Sequence, residues 1–209
     1  MRTLFLTGYD DAFRSLGNLT SAIMWDYAEM HNFDFQRMRS APEDCPESFH
    51  PSWWKMYRLL SAFAEGYERV IWMDADMIIT NPDIVPPGEH GYHCSRDWGV
   101  DAAEKWQLSN CCFSVTPASA DLIRWVLENR DSYSTLFHEQ IHLCELARQG
   151  MFSGVLEIHP RRIFNAVPIE VHPSAPEPWQ KGDWAAHLTM IPLKDRVALF
   201  HKIRRRISA

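Results

Sequence analysis

The chain has 209 residues, of which 46% are hydrophobic and 23% charged, the make-up of a globular protein long enough to bury a substantial core. Its net charge of -6 argues against nucleic acid as the main partner. No apolar run is long enough for a secretory signal or a transmembrane segment, and five cysteines (Cys45, Cys94, Cys111, Cys112, Cys144) form neither an even disulfide framework nor a zinc-knuckle spacing, so reduced thiols and a cytoplasmic location are expected.

Residues 3–7 read as a first strand running into Gly8-Tyr9-Asp10-Asp11. Such a turn is either an ordinary βα connection or a seat for a base or ribose. Leu19, Ile23, Met24, Tyr27 and Ala28 recur at helical spacing and predict a helix over 15–31. A second strand is predicted over 33–38, then a loop over 40–51 rich in Pro, Glu and Asp. A helix over 52–65 follows, with Ser52 as its N-cap, Gly66 as its stop, and Trp53, Met56, Leu59, Leu60 and Phe63 on its apolar face. Val70, Ile71 and Trp72 then read as a buried strand. This alternation predicts an α/β fold with a mostly parallel central sheet and helices on both faces.

Further on, strands are predicted over 92–95, ending at Arg96-Asp97, and over 108–115. A helix over 118–129 starts after Pro117, another covers 138–149, and a short strand covers 155–159. Four prolines mark 168–178 as irregular coil, a late strand covers 183–187, and a helix over 195–207 closes the chain with a basic end. With no repeat and no separating linker, a single domain over 1–209 is expected.

The most informative stretch is Arg69-Val70-Ile71-Trp72-Met73-Asp74-Ala75-Asp76. Side chains two apart on a strand share a face, so strand geometry kept to its end would project Asp74 and Asp76 together, with Ala75 turned away. Two adjacent like charges repel, and a divalent cation relieves the repulsion. Hard oxygen donors suit magnesium, calcium or manganese. The carboxyl end of a strand is also where open α/β sheets bind ligands. A haloacid-type phosphatase uses a similar pair but needs Gly and Thr after the second Asp, whereas Met77-Ile78 follow here.

Together, several segments resemble metal-dependent nucleotide-sugar glycosyltransferases of the GT-A fold, nearest to the galactosyl-, mannosyl- and xylosyltransferase family in small soluble form. They are Tyr27-Ala28-Glu29-Met30-His31, His50-Pro51-Ser52-Trp53-Trp54-Lys55, Val70 to Asp76, Glu139-Gln140, Phe164-Asn165 after Arg161-Arg162, and Gly182-Asp183-Trp184-Ala185-Ala186-His187. The resemblance implies a nucleotide-binding half over 1–76 and an acceptor half over 77–209 that carries the metal His. Asp76 and His187 would bind the metal, Asp74 metal or ribose, with Mn2+ (or Mg2+) as the ion. Thr7, Gly8 and Tyr9 would hold the nucleoside, Tyr9 stacking on the base. Lys55 would reach phosphate or support the sheet edge. Asp97 would accept from sugar hydroxyls, with Arg96 balancing it or meeting phosphate. The implied donor is a UDP-sugar and the acceptor a glycan, glycoprotein or glycolipid hydroxyl. An inverting enzyme needs a base, for which Glu139 stands first and Asp97 second; in a retaining enzyme Gln140 would stand near the anomeric carbon. Two departures touch the donor site. Cys111 stands where the family has Gly, and Leu188-Thr189-Met190 follows His187. The alternatives are a metal-dependent phosphohydrolase or nucleotidyltransferase, and a non-catalytic nucleotide-sugar-binding module.

Overall fold

The computed structural model describes residues 1–46, 49–100, 106–132, 138–173 and 177–208. Its first half follows the alternation read from the sequence: β1 (Thr3–Gly8), α1 (Arg14–Met30), β2 (Asp34–Met38), α2 (Trp54–Ala64) and β3 (Arg69–Met73). Next come β4 (Met77–Ile79), β5 (Tyr92–Val100), β6 (Trp106–Val115), α3 (Ala120–Glu128) and α4 (Glu139–Arg148). The chain continues through β7 (Leu156–His159), α5 (Arg161–Phe164), β8 (Ala185–His187) and α6 (Leu193–Ser208).

Six strands form the central sheet in the order β2-β1-β3-β6-β5-β7. β1 pairs in parallel with β2 and β3, and β7 in parallel with β5. β6 runs antiparallel to both of its neighbours. The sheet is therefore mostly parallel, with one reversed strand inside it.

Alternation along the strands builds two cores. Leu4, Leu6, Val70 and Trp72 face one side and pack with α2, α3 and α4. Phe5, Ile71 and Met73 face the other and pack with Met24, Tyr27 and Ala28 of α1. Both faces are thus covered, the reason β1 and β3 read as continuous apolar runs. A third cluster joins Leu16 of α1, Ile78 of β4, Ala186 of β8 and Leu199, Phe200 and Ile203 of α6.

Several elements differ from expectation. β3 stops at Met73, so Asp74 and Asp76 are placed by a turn, with Met77 N–H donating to the Asp74 carbonyl, rather than by strand alternation. Ser52 does not cap α2. Pro51–Trp53 form a 3-10 turn whose cap is His50, and α2 starts at Trp54. β5 runs to Val100, so Arg96 and Asp97 lie within a strand instead of after it. Residues 77–79 and 161–164, left without an element by the sequence, form β4 and α5. β4 pairs antiparallel with β8 in a separate two-stranded ribbon.

Gly91 sets the start of β5. Its φ is +95°, and a Cβ there would lie 2.1 Å from the Val155 carbonyl oxygen. That oxygen accepts from Tyr92 N–H at 2.8 Å and so begins the β5–β7 pairing. Gly91→Ala is expected to destabilise by about 1–3 kcal/mol from the backbone conformation alone, with the clash adding to it. A chemical denaturation curve shifted to a lower midpoint would bear this out; an unchanged midpoint would refute it.

Candidate functional site

The turn after β3 puts Asp74 and Asp76 at the carboxyl end of the sheet, and the ribbon brings His187 to them. Met77 lies opposite His187 in the β4–β8 register, and Leu188 N–H donates to the Asp76 carbonyl at 2.8 Å. His187 Nε2 consequently stands 3.4 Å from Asp76 Oδ1. The other ring nitrogen, Nδ1, meets Asn165 Oδ1 at 2.7 Å. An amide oxygen only accepts, so Nδ1 carries a proton and Nε2 is the nitrogen aimed at Asp76. Arg196 of α6 donates to the second Asp76 oxygen at 2.5 Å.

Asp76 is therefore surrounded by positive charge. Burial would raise its carboxyl, but His187 and Arg196 outweigh that and hold it below the usual carboxylate range. Burial opposes a charge on His187, yet Cys111 and Asp76 hold its pKa well above that of an ordinary histidine. Asp74 behaves differently. Burial pushes its carboxyl up to about 6, with Lys55 acting against this and the Asp76 charge adding to it. Asp74 Oδ1 accepts from the Trp72 indole N–H at 2.5 Å and lies 3.6 Å from Lys55 Nζ.

The donor set fits a divalent cation in part. Asp76 Oδ1 and His187 Nε2 converge, and the Nδ1–Asn165 bond orients the ring as outer partners of metal-bound histidines do. Asp74, Asp76 and His187 do not bring three ligand atoms within 4.8 Å of one another. Asp74 is turned toward Trp72 and Lys55 instead.

Lys55 and Glu139 form a buried pair below the site. Their side chains are 4% exposed and their charged atoms are 2.6 Å apart. Lys55 also donates to the Asn110 carbonyl at 2.8 Å. Asn110 Nδ2 donates to Glu139 Oε1, and its Oδ1 accepts from the Tyr92 hydroxyl. Burial opposes the Lys55 charge, but Asp74 and Glu139 together raise its pKa above the ordinary lysine value. Glu139 is thus the counter-ion of Lys55, and its Oε2 is a buried atom without a hydrogen-bond partner.

Asp97 sits in another group. Its two oxygens accept from Gln140 Nε2 and Asn165 Nδ2, each at 3.1 Å. Asn165 thereby links Asp97 to His187, and its Oδ1 also meets Cys111 Sγ at 3.5 Å. Arg96 is exposed. Cys111, in place of the small residue the resemblance leads one to expect, packs inward against Phe164 and Asn165.

A cavity of about 200 Å³ lies over the aspartate turn, walled by Gly8, Tyr9 and Asp10 after β1, by Lys55 and Trp72, and by Asp74 to Asp76. Thr7 does not line it; its hydroxyl donates to the Met73 carbonyl at 2.7 Å and fastens the end of β1 to that of β3. Tyr9 is only 4% exposed. Its ring lies against Gly17, where a Cβ would come within 2.6 Å of it, its hydroxyl donates to Asn18 Oδ1, and the Arg39 guanidinium stands 4.6 Å from its centroid. Of the residues singled out from sequence, Gly8, Tyr9, Lys55, Asp74 and Asp76 wall the cavity, and Ala75, which strand alternation would have turned away, walls it as well. His187 joins them through Asp76, and Asp97 and Gln140 through Asn165. Sequence reasoning missed the parts of Trp72, Asn110 and Arg196, and quoted Asn165 without a role. A lone Arg in a charged terminal helix carries no signal that it faces Asp76.

A mostly parallel sheet, helices on both faces and an acidic turn at the carboxyl end of β3 define a GT-A-like fold. Among solved structures, the chain is similar to a glycosyltransferase involved in the glycosylation of the major capsid of PBCV-1, at 14% identity and a TM-score of 0.73, covering 97% of this chain and 100% of that one. It is also similar to the galactosyltransferase LgtC in complex with donor and acceptor sugar analogues, at 11% identity, a TM-score of 0.59 and 95% of each chain. An active-site mutant of LgtC matches at 11% identity and a TM-score of 0.54, again over 95% of each chain. No family model and no curated protein matches the sequence. Among the described residues, no helix is long and apolar enough to cross a membrane.

Proposed function

We propose that this chain is a metal-dependent glycosyltransferase that moves a sugar from a nucleoside diphosphate sugar, a UDP-sugar, to a hydroxyl of a glycan, glycoprotein or glycolipid. The observation that carries this reading is the β4–β8 pairing, which sets His187 Nε2 3.4 Å from Asp76 Oδ1 beside the cavity at the end of β3. Asp76 and His187 would hold the ion, Mn2+ before Mg2+ because imidazole and carboxylate are both present. When bound, the ion supplies positive charge against that gathering on the departing diphosphate.

The remaining work falls to the protein. His187 and Arg196 already balance Asp76, and Arg196 stays near to meet the diphosphate once Asp76 turns to the ion. Lys55, itself balanced by Glu139, holds Asp74 in place beside the cavity. Tyr9, held edge and face by Gly17 and Asn18, forms a rigid wall for the nucleoside rather than a free stacking ring. Asp97, kept in place by Gln140 and Asn165, is the better placed of the two candidate bases, because Glu139 is occupied by Lys55.

A panel of nucleoside diphosphate sugars, read by thermal shift with and without Mn2+, tests this reading. Stabilisation by UDP-sugars only when Mn2+ is present, followed by slow release of UDP, is the expected result. Release of inorganic phosphate would replace it with the phosphohydrolase reading. Stabilisation without turnover across a broad acceptor panel would leave a binding module.

A further inference from the structure

We propose that His93, Glu157 and His159 form a second cation site, for a zinc-class transition metal, which ties β5 to the edge strand β7. Strand geometry puts the three side chains together. Residues 157 and 159 are two apart on β7 and share a face. His93 lies opposite Glu157 in the parallel register, and Ser95 opposite His159. Among the described residues, this is the one group of three whose ligand atoms all lie within 4.8 Å of one another.

The spacing suits a tetrahedral ion. Zinc bonds of about 2.0–2.1 Å to nitrogen place neighbouring ligand atoms roughly 3.3–3.4 Å apart. Here His93 Nδ1 is 3.0 Å from His159 Nε2. The Glu157 carboxylate straddles the pair, 3.5 Å from His93 Nδ1 and 3.6 Å from His159 Nε2. Two imidazoles and one carboxylate select zinc and its neighbours over magnesium or calcium, which prefer all-oxygen sets.

The surrounding groups orient the donors. His93 Nε2 meets the His90 carbonyl at 2.7 Å, so it carries the proton and leaves the Nδ1 lone pair facing the cluster. Metal-bound histidines show this same outer hydrogen bond to a carbonyl. The His159 ring stacks on His93 at 20° and meets the Phe164 ring edge-on at 5.6 Å. Without the ion, His159 Nε2–H donates to His93 Nδ1. With it, His159 takes the Nδ1–H tautomer and both facing nitrogens ligate, with no proton lost. Glu157 is 61% exposed, which leaves a fourth position to water.

The location gives the site a consequence. β7 leads through Pro160 into α5 and then Asn165, the residue that holds both Asp97 and His187. An ion at the root of this segment would steady the position of Asn165. It would do so independently of any metal at Asp76.

Zn2+ titrated calorimetrically into the full-length protein tests the proposal, with Co2+ absorption reporting the geometry. The expected result is one equivalent of Zn2+ retained in Asp76→Asn and weakened in both His159→Ala and Glu157→Gln by more than the roughly 10–100-fold that loss of an outer partner of a metal ligand causes, with a tetrahedral Co2+ spectrum lost in the same two variants. Glu157→Gln changes an exposed side chain, so the test survives if His159→Ala folds poorly. Zinc binding equal to wild type in Glu157→Gln, or no equivalent left once Asp76 is replaced, would overturn it.

Discussion

Lys55→Met is expected to cost about 3–5 kcal/mol of folding stability, the usual penalty for removing one partner of a buried ion pair. The reason is the company Lys55 keeps. Its ammonium sits 2.6 Å from Glu139 and 3.6 Å from Asp74, and its side chain is 4% exposed. Methionine fills the space but leaves Glu139 buried without a cation, beside an Oε2 atom that already lacks a partner. At roughly 2–4 °C per kcal/mol for a chain of this size, the melting temperature should fall by about 6–20 °C. The double variant Lys55→Met with Glu139→Gln should recover much of the loss, because it removes the stranded charge as well as the cation. Calorimetric melting of the three variants measures this directly. Equal melting temperatures for Lys55→Met and wild type would show that the pair contributes nothing. A double variant no better than the single would place the loss in Asp74 or in packing.

Asp76→Asn is expected to reduce sugar transfer by roughly 10²–10³-fold or more, on the scale set by removing one charge-stabilising group from an active site. Thermal stabilisation by UDP with Mn2+ should be lost with it. Asparagine keeps the shape and one oxygen but removes the charge that His187 and Arg196 meet. Stability should change less than activity, because His187 can give up its proton and Arg196 reaches partly into solvent. UDP release from the donor that stabilises the wild-type protein, followed with Mn2+ present, gives the activity; the same melt gives the fold. Full transfer activity in Asp76→Asn would remove Asp76 from the metal site, and the metal-dependent reading with it.

Much of the architecture was legible in the chain because two periods carry it. Leu4, Leu6, Val70 and Trp72 against Phe5, Ile71 and Met73 make strands buried on both faces. The helical spacing of Met24, Tyr27 and Ala28 supplies a cover for one of those faces. The ribbon escaped notice because β4 is three apolar residues, all buried, so no alternation shows. Ser52 misled because Pro51 opens a 3-10 turn before α2, which moves the helix start past the expected cap. Glu139, offered as a base through the family resemblance, is held in an ion pair with a lysine on another helix, a contact that no local pattern encodes.

By itself the sequence determined the α/β class, the course of its first three strands and the acidic pair that follows them. Those follow from local spacing, which the chain carries wherever it folds. Only the tertiary structure decided what the turn meets. The antiparallel register of β4 and β8 places His187 beside Asp76, α2 and α4 bring Lys55 to Glu139, and α6 delivers Arg196. Each of these depends on packing between segments far apart in the chain. The strand pairing brings Asp76 to His187 while Asp74 faces Lys55 and Trp72, so the two aspartates are neighbours in sequence with different partners in space.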